Sequence, residues 1–178
     1  MSDIRRILVI ASIASIGLVA GCSESSPKTA QTSTPRKRVI ILCTGNSCRS
    51  QMAEALWRKH GGDQWEVVSA GIKPKGEIFP PAIQVMAEKG IDISKQKPKS
   101  VDAFVNQDFD LVITVCDNAE KNCPNFARAK QHLHWPFEDP PKAAGGIEGQ
   151  TRVCRRVRDE IDVRIVAFLS PEAHAASH

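Results

Sequence analysis

"RVIILCTGNSCRSQMAEALW", residues 38–57, passes from an apolar run through a short polar loop into a stretch with helical spacing. Val39 to Leu42 are uninterrupted aliphatic residues, as in a strand buried on both faces of a parallel sheet. Met52, Ala53, Leu56 and Trp57 fall on one helical face, and Gly61-Gly62 stops the helix. Between the two lies Cys43-Thr44-Gly45-Asn46-Ser47-Cys48-Arg49-Ser50, a cysteine and an arginine separated by five residues. A strand, a tight loop and a helix in that order predict a parallel α/β architecture with its chemistry at the carboxyl ends of the strands.

The rest of the chain extends that pattern. "WEVVSAG" from Trp65 reads as a second strand. Pro80 and Pro81 open a helix carrying Ile83, Met86 and Ala87, with Gly90 beyond its end. A short helix follows around Val101 to Val105, then a third strand, "DLVITVC", over residues 110–116. "HLHW" from His132 suggests a weaker fourth strand. A closing helix is predicted from about Gln150 to Leu169, with Val153, Val157, Ile161, Ile165 and Phe168 on or near one face. The expectation is an α/β three-layer sandwich around a four-stranded parallel sheet. It puts Cys43 and Cys116, the ends of the first and third strands, on the same sheet edge.

Composition narrows the function. The 178 residues suit one domain plus an extension, expected to be a monomer, and a formal charge of +4 is too mild to argue for nucleic acid. The six cysteines, Cys22, Cys43, Cys48, Cys116, Cys123 and Cys154, lack the paired spacing of a structural zinc site. His132 and His134 alternate on a strand without further ligands at suitable spacing, so no metal site is expected. Cys48 reads as a loop-shaping residue and Cys154 as core. Arg152, Arg155, Arg156 and Arg158 read as a solvated helix face.

The N-terminus is a separate matter. Arg5 and Arg6 precede an apolar run from Ile7 to Ala20 that ends at Gly21-Cys22, the layout of a secretory signal too short to span a membrane comfortably. Leu18 to Cys22 resembles the bacterial lipobox, which implies lipidation of Cys22 and a membrane anchor outside the cytoplasm. Unused, the signal would leave the protein cytoplasmic. Residues 1–21 are therefore expected to be the signal, 22–35 a disordered tether, 36–170 the folded domain and 171–178 a tail.

The loop itself has a physical reading. Backbone N–H groups from Thr44, Gly45, Asn46, Ser47, Cys48 and Arg49 can curl around a tetrahedral oxyanion at the positive end of the following helix. The planar fork of Arg49 can hold two oxygens of that anion. Gly45 permits close backbone approach, Asn46 tolerates left-handed dihedrals, and Ser50 can donate to the sulfur of Cys43. The same donors favour the Cys43 thiolate. This stretch resembles the phosphate loop of the low-molecular-weight protein tyrosine phosphatase family, which implies that fold and a nucleophilic Cys43.

Phosphatase chemistry leaves "VCDNAEKNCPNF" unexplained, since it places Cys116 and Cys123 on the same edge. Arsenate gives those thiols a use, because arsenic(V) in a thiol adduct is reduced when a second thiol attacks. Residues 36–170 resemble the thioredoxin-coupled arsenate reductase family on the phosphatase scaffold through "CTGNSCRSQMAEA", "SAG", "DIS", "VCDNAEKNCP", "HWPFEDP" and "RVRDEI". The resemblance implies anion-site roles for Cys43, Arg49 and Ser50, a redox relay through Cys116 and Cys123, and Asp139 as general acid. It implies arsenate as substrate and no bound cofactor, with reducing equivalents from thioredoxin or a thioredoxin-like donor; related enzymes accept glutathione and glutaredoxin. Some relatives hold potassium through an asparagine, a glutamate, a serine and an aspartate. Asn46, Glu54 and Ser69 match the first three, but Lys99 takes the aspartate's place, so no potassium site is expected. Pro141 follows Asp139-Pro140 where related phosphatases have tyrosine, and the chain has no tyrosine. A phosphatase and a non-catalytic arsenate-binding lipoprotein stand as alternatives.

Overall fold

The structure, a computed structural model, describes residues 35–170. The signal, Cys22, most of the tether and the tail lie outside the described residues.

Four strands, β1 (Lys37–Cys43), β2 (Trp65–Gly71), β3 (Phe109–Thr114) and β4 (Ala129–His134), form one sheet in the order β2-β1-β3-β4, and every pairing is parallel. Val39 to Leu42 are at most 1% exposed, so both faces of β1 are covered, as its unbroken apolar run requires. The helices are α1 (Arg49–Gly61), α2 (Pro80–Ala87), α3 (Asp117–Lys121) and α4 (Gly146–Leu169). α1, α2 and α4 pack on one another, while α3 touches β1 and β3. This is the expected α/β sandwich around a four-stranded parallel sheet.

The chain goes from β1 to β2 on one side and then crosses over to β3 on the other, so the direction of winding reverses at β1. A crevice therefore opens beyond the carboxyl ends of β1 and β3. Cys43 is the last residue of β1. Cys116 lies two residues past β3 and caps the N-terminus of α3.

Several boundaries differ from expectation. β3 stops at Thr114; Val115 N still donates to the carbonyl of Leu42 at 2.8 Å, and the chain turns at Cys116 into α3, a helix the polar sequence of that segment concealed. β4 begins at Ala129, three residues before His132, with exposed polar side chains that gave no apolar signal. α4 starts at Gly146 rather than near Gln150, with Gly145 and Gly146 at positive φ angles of 89° and 61° where the chain enters it.

The basic face of α4 is not wholly solvated either. Arg158 is buried, with Nη1 donating to the carbonyl of Val85 at 2.6 Å and to Glu88 Oε2 at 3.0 Å. Beneath the sheet edge, Trp57 stacks on Trp135 with ring centroids 6.0 Å apart. Trp135 is thereby fixed just before the segment that carries Asp139.

Candidate active site

The loop between β1 and α1 owes its shape to a neighbour that the sequence reading passed over. The N–H groups of Ile72, Lys73, Lys75 and Phe79 donate to the carbonyls of Cys43, Thr44, Gly45 and Ser47 at 2.8 to 3.2 Å. With its carbonyls occupied on that side, the loop is left with N–H groups to offer an anion. Gly71, at the end of β2, permits this contact. A Cβ there would come within 2.9 Å of both Asn46 N and Thr44 O. Of the loop residues it is Asn46, with φ of 45°, that takes the left-handed conformation; Gly45 has no positive φ and faces the flexible side chain of Lys75.

Around Cys43 the polar contacts are short. Ser50 Oγ lies 2.9 Å from its sulfur, and Asn46 N donates to it at 3.1 Å. Asn46 is itself fixed, since its Nδ2 donates to Ser50 Oγ and Ser69 Oγ, both at 2.8 Å. Its carbonyl and Oδ1 accept from Gln51 Nε2 at 3.0 and 3.1 Å, a second support that sequence reading missed.

Behind Asn46 the network ends in buried charge. Ser69 donates to Glu54, which is 2% exposed and paired with Arg58 at 2.5 Å and with Lys99 Nζ at 3.2 Å. The backbone N–H of Lys99 also donates to Asn46 Oδ1 at 2.7 Å. Lys99 thus brings its ammonium into the group formed by Asn46, Glu54 and Ser69. Among the described residues, no cluster of three or more histidine, cysteine or carboxylate side chains could hold a metal.

Arg49 is 7% exposed. Its Nη2 donates to Asp139 Oδ1 at 2.7 Å and its Nη1 to the carbonyl of Phe137 at 3.0 Å. Thr44, Arg49, Cys116, Asn118, Phe137 and Asp139 line a cleft of about 580 Å³ at the carboxyl edge of the sheet. Cys116 Sγ is 3.4 Å from Thr44 Oγ1, to which Asn118 Nδ2 also donates at 3.0 Å. A larger groove of about 960 Å³ runs along α4 past Arg152 and Arg156, and contains no cysteine.

The remaining thiols are differently placed. Cys123 lies beyond the far end of α3, half-buried, and burial, aided by the nearby Glu120 carboxylate, pushes its pKa up to about 11. Cys48 caps α1 and points into the core, with its sulfur 3.7 Å from that of Cys154. The Cys154 hydrogen bond and burial raise the Cys48 pKa well above the usual thiol range. Both are free thiols, as are Cys43, Cys116 and Cys123.

Comparison with known proteins bears on this geometry. Residues 38–174 match the family model for low molecular weight phosphotyrosine protein phosphatase. An arsenate reductase of Halalkalibacterium halodurans is 49% identical over 133 residues, covering 75% of this chain and 95% of that protein. A solved arsenate reductase in the phosphate binding state superposes with a TM-score of 0.63 at 34% identity, over 75% of this chain and 99% of the other. The thioredoxin-dependent arsenate reductase of Corynebacterium glutamicum superposes with a TM-score of 0.60 at 30% identity, over 82% of this chain and 65% of that one.

Proposed function

The chain belongs to the low molecular weight phosphotyrosine protein phosphatase family and, within that scaffold, to the arsenate reductases, and on that premise we propose that it reduces arsenate through a Cys43, Cys116 and Cys123 relay recharged by thioredoxin. The observation that supports this reading is one cleft lined by Thr44, Arg49, Cys116 and Asp139, which gathers loop residues, a second thiol and a carboxyl at the sheet edge where β1 ends in Cys43.

In the first step the Cys43 thiolate attacks arsenic. An oxygen departs as water with a proton from Asp139, leaving a sulfur–arsenic(V) bond. The loop N–H groups and Arg49 hold the remaining oxygens. Next the Cys116 thiolate attacks the sulfur of Cys43. The sulfur–arsenic bond breaks, its electron pair stays on arsenic, and arsenite leaves while a Cys43–Cys116 disulfide forms. Cys123 then attacks Cys116, which releases Cys43 as thiolate and moves the disulfide to residues 116 and 123. A thioredoxin dithiol takes over that disulfide and is itself oxidised.

The last exchange needs α3 to unwind. Its five residues span about 7.5 Å as a helix, and Cys116 and Cys123 lie beyond its two ends, whereas disulfides seldom bridge Cα atoms more than about 6.8 Å apart. Unwinding also frees Cys123 from the burial that keeps it protonated.

The test is arsenate-dependent NADPH consumption by the reduced protein with thioredoxin and thioredoxin reductase. Turnover with glutaredoxin and glutathione alone would reassign the donor. No arsenite formation together with rapid phosphoester hydrolysis would favour the phosphatase. For location, we infer from Arg5, Arg6, the apolar run and Cys22 that the domain is lipid-anchored outside the cytoplasm, with a thioredoxin-like donor there. The mass of the mature N-terminus tests this, since a diacylated Cys22 at the first position is expected and an intact Met1 contradicts it.

A further inference from the structure

Four side chains that take no part in these steps meet against α3. His134 ends β4, Thr114 ends β3, and Asp117 and Glu120 stand on α3 between the two relay cysteines. The Thr114 hydroxyl donates to Glu120 Oε2, so it faces His134 Nδ1, 2.8 Å away, as an acceptor. The other ring nitrogen, Nε2, lies 3.2 Å from Asp117 Oδ1. Glu120 Oε2 is also 3.6 Å from Nδ1. Both nitrogens of His134 therefore face acceptors. Only an imidazolium can donate from both, and a neutral ring leaves one contact unmade.

Among the described residues, the ion pairs of Asp117 and Glu120 are with His134. β3 contributes the Thr114 hydroxyl and α3 the two carboxylates, while Lys121 of α3 lines the cleft and His132 on the same strand is exposed. α3 has few other ties to the sheet: Ala119 is buried beneath it, and Asn118 reaches Thr44.

We infer that His134 is a positioning residue that latches α3 to the sheet when charged and loosens it when neutral, and so sets how readily Cys123 reaches Cys116. The latch stands on the geometry of four side chains; its consequence for turnover rests on the relay proposed above. Histidine changes charge between about pH 5 and 8. Acid therefore holds the redox segment wound, with Cys123 half-buried and near Glu120. Neutral to alkaline pH releases it, and the segment that must unwind for the second exchange is freed without any change at the anion loop.

Hydrogen exchange of the α3 peptide in the full chain, corrected for intrinsic rates, tests the latch between about pH 5.5 and 8. In the wild type, protection should fall about two- to fivefold across that range, as expected for a partly exposed ion pair. His134→Gln, which keeps a neutral donor, should stay at the wild-type alkaline level throughout, and Glu120→Gln should flatten the profile too. The same pH dependence in wild type and His134→Gln overturns the latch.

Rapid-quench mapping tests the consequence. At pH ~6, where histidine is largely charged, His134→Gln should form the Cys116–Cys123 disulfide faster by a similar factor and the Cys43–Cys116 disulfide at an unchanged rate. Altered protection without altered second exchange overturns the role in turnover. A protein that makes no arsenite refutes the relay itself, while the hydrogen-exchange result still decides the latch.

Discussion

Arg49 Nη2 donates to Asp139 Oδ1 at 2.7 Å, which clips the guanidinium proposed to hold the anion to the proposed general acid across 90 positions of sequence. Its other terminal nitrogen holds the Phe137 carbonyl, so the guanidinium plane is set by the same segment that presents the acid. The 137–139 segment thus engages both terminal nitrogens of Arg49.

Arg49→Lys preserves charge but not the two-pronged geometry. Arsenate turnover should fall about 10²- to 10³-fold, the usual cost of losing one donor to a developing oxyanion. Steady-state kinetics against arsenate concentration checks this, and a loss below about threefold would remove the bidentate grip from the account.

Arsenate or sulfate should protect Cys43 from iodoacetamide, because the anion covers the ring of N–H donors through which its sulfur is approached. Cys48 and Cys154 should stay unlabelled with or without the anion, since both are buried and Cys48 is held protonated. Mass spectrometry at each cysteine reads both. Equal labelling of Cys43 with and without anion would contradict the anion-loop reading.

Lys99→Met removes one of two cations from buried Glu54. With Arg58 still in place, the loss of stability should be about 1 to 3 kcal/mol, measured by urea denaturation. Exchanging sodium for potassium chloride should leave the wild-type rate unchanged and raise that of Lys99→Met. Stimulation of the wild type by potassium would contradict the view that this ammonium takes the ion's place.

Much of this site was legible because its parts are close in sequence. Cys43, Arg49 and Ser50 fall within one strand–loop–helix, and the apolar run of β1 announces where that loop must lie. Gly71, Gln51 and the segment 72–79 were not legible as supports, because their contacts with the loop are backbone bonds or buried amide bonds that leave no apolar periodicity. α3 was hidden for a related reason. Its single buried apolar residue, Ala119, is too little for a helical stripe, and Cys116 breaks from the β3 ladder only because the chain turns there. Arg158 reads as surface by type, and only folding brings it to the carbonyl of Val85 and to Glu88.

Glu88 carries the clearest pH dependence of stability. The Arg155 guanidinium, then Arg158, holds its pKa down to about 2 from an ordinary 4.5. A lowered carboxyl contributes stability that is fully present above pH 4.5 and lost as pH falls toward about 2. The thermal midpoint should drop across that window. Glu88→Gln should lower the midpoint by about 2 to 4 °C at pH ~6 and flatten part of the acid slope. An unchanged slope in the variant would show that other carboxylates carry it.

The measurement closest to the central claim is peptide mapping of Cys123→Ser after one exposure to arsenate without thioredoxin. If the second thiol is Cys116 and the resolving thiol Cys123, each reduced molecule should release one arsenite and stop, with the disulfide trapped between Cys43 and Cys116. Continued cycling of the variant with thioredoxin at the wild-type rate, or trapping of Cys43 on any other cysteine, would contradict the relay.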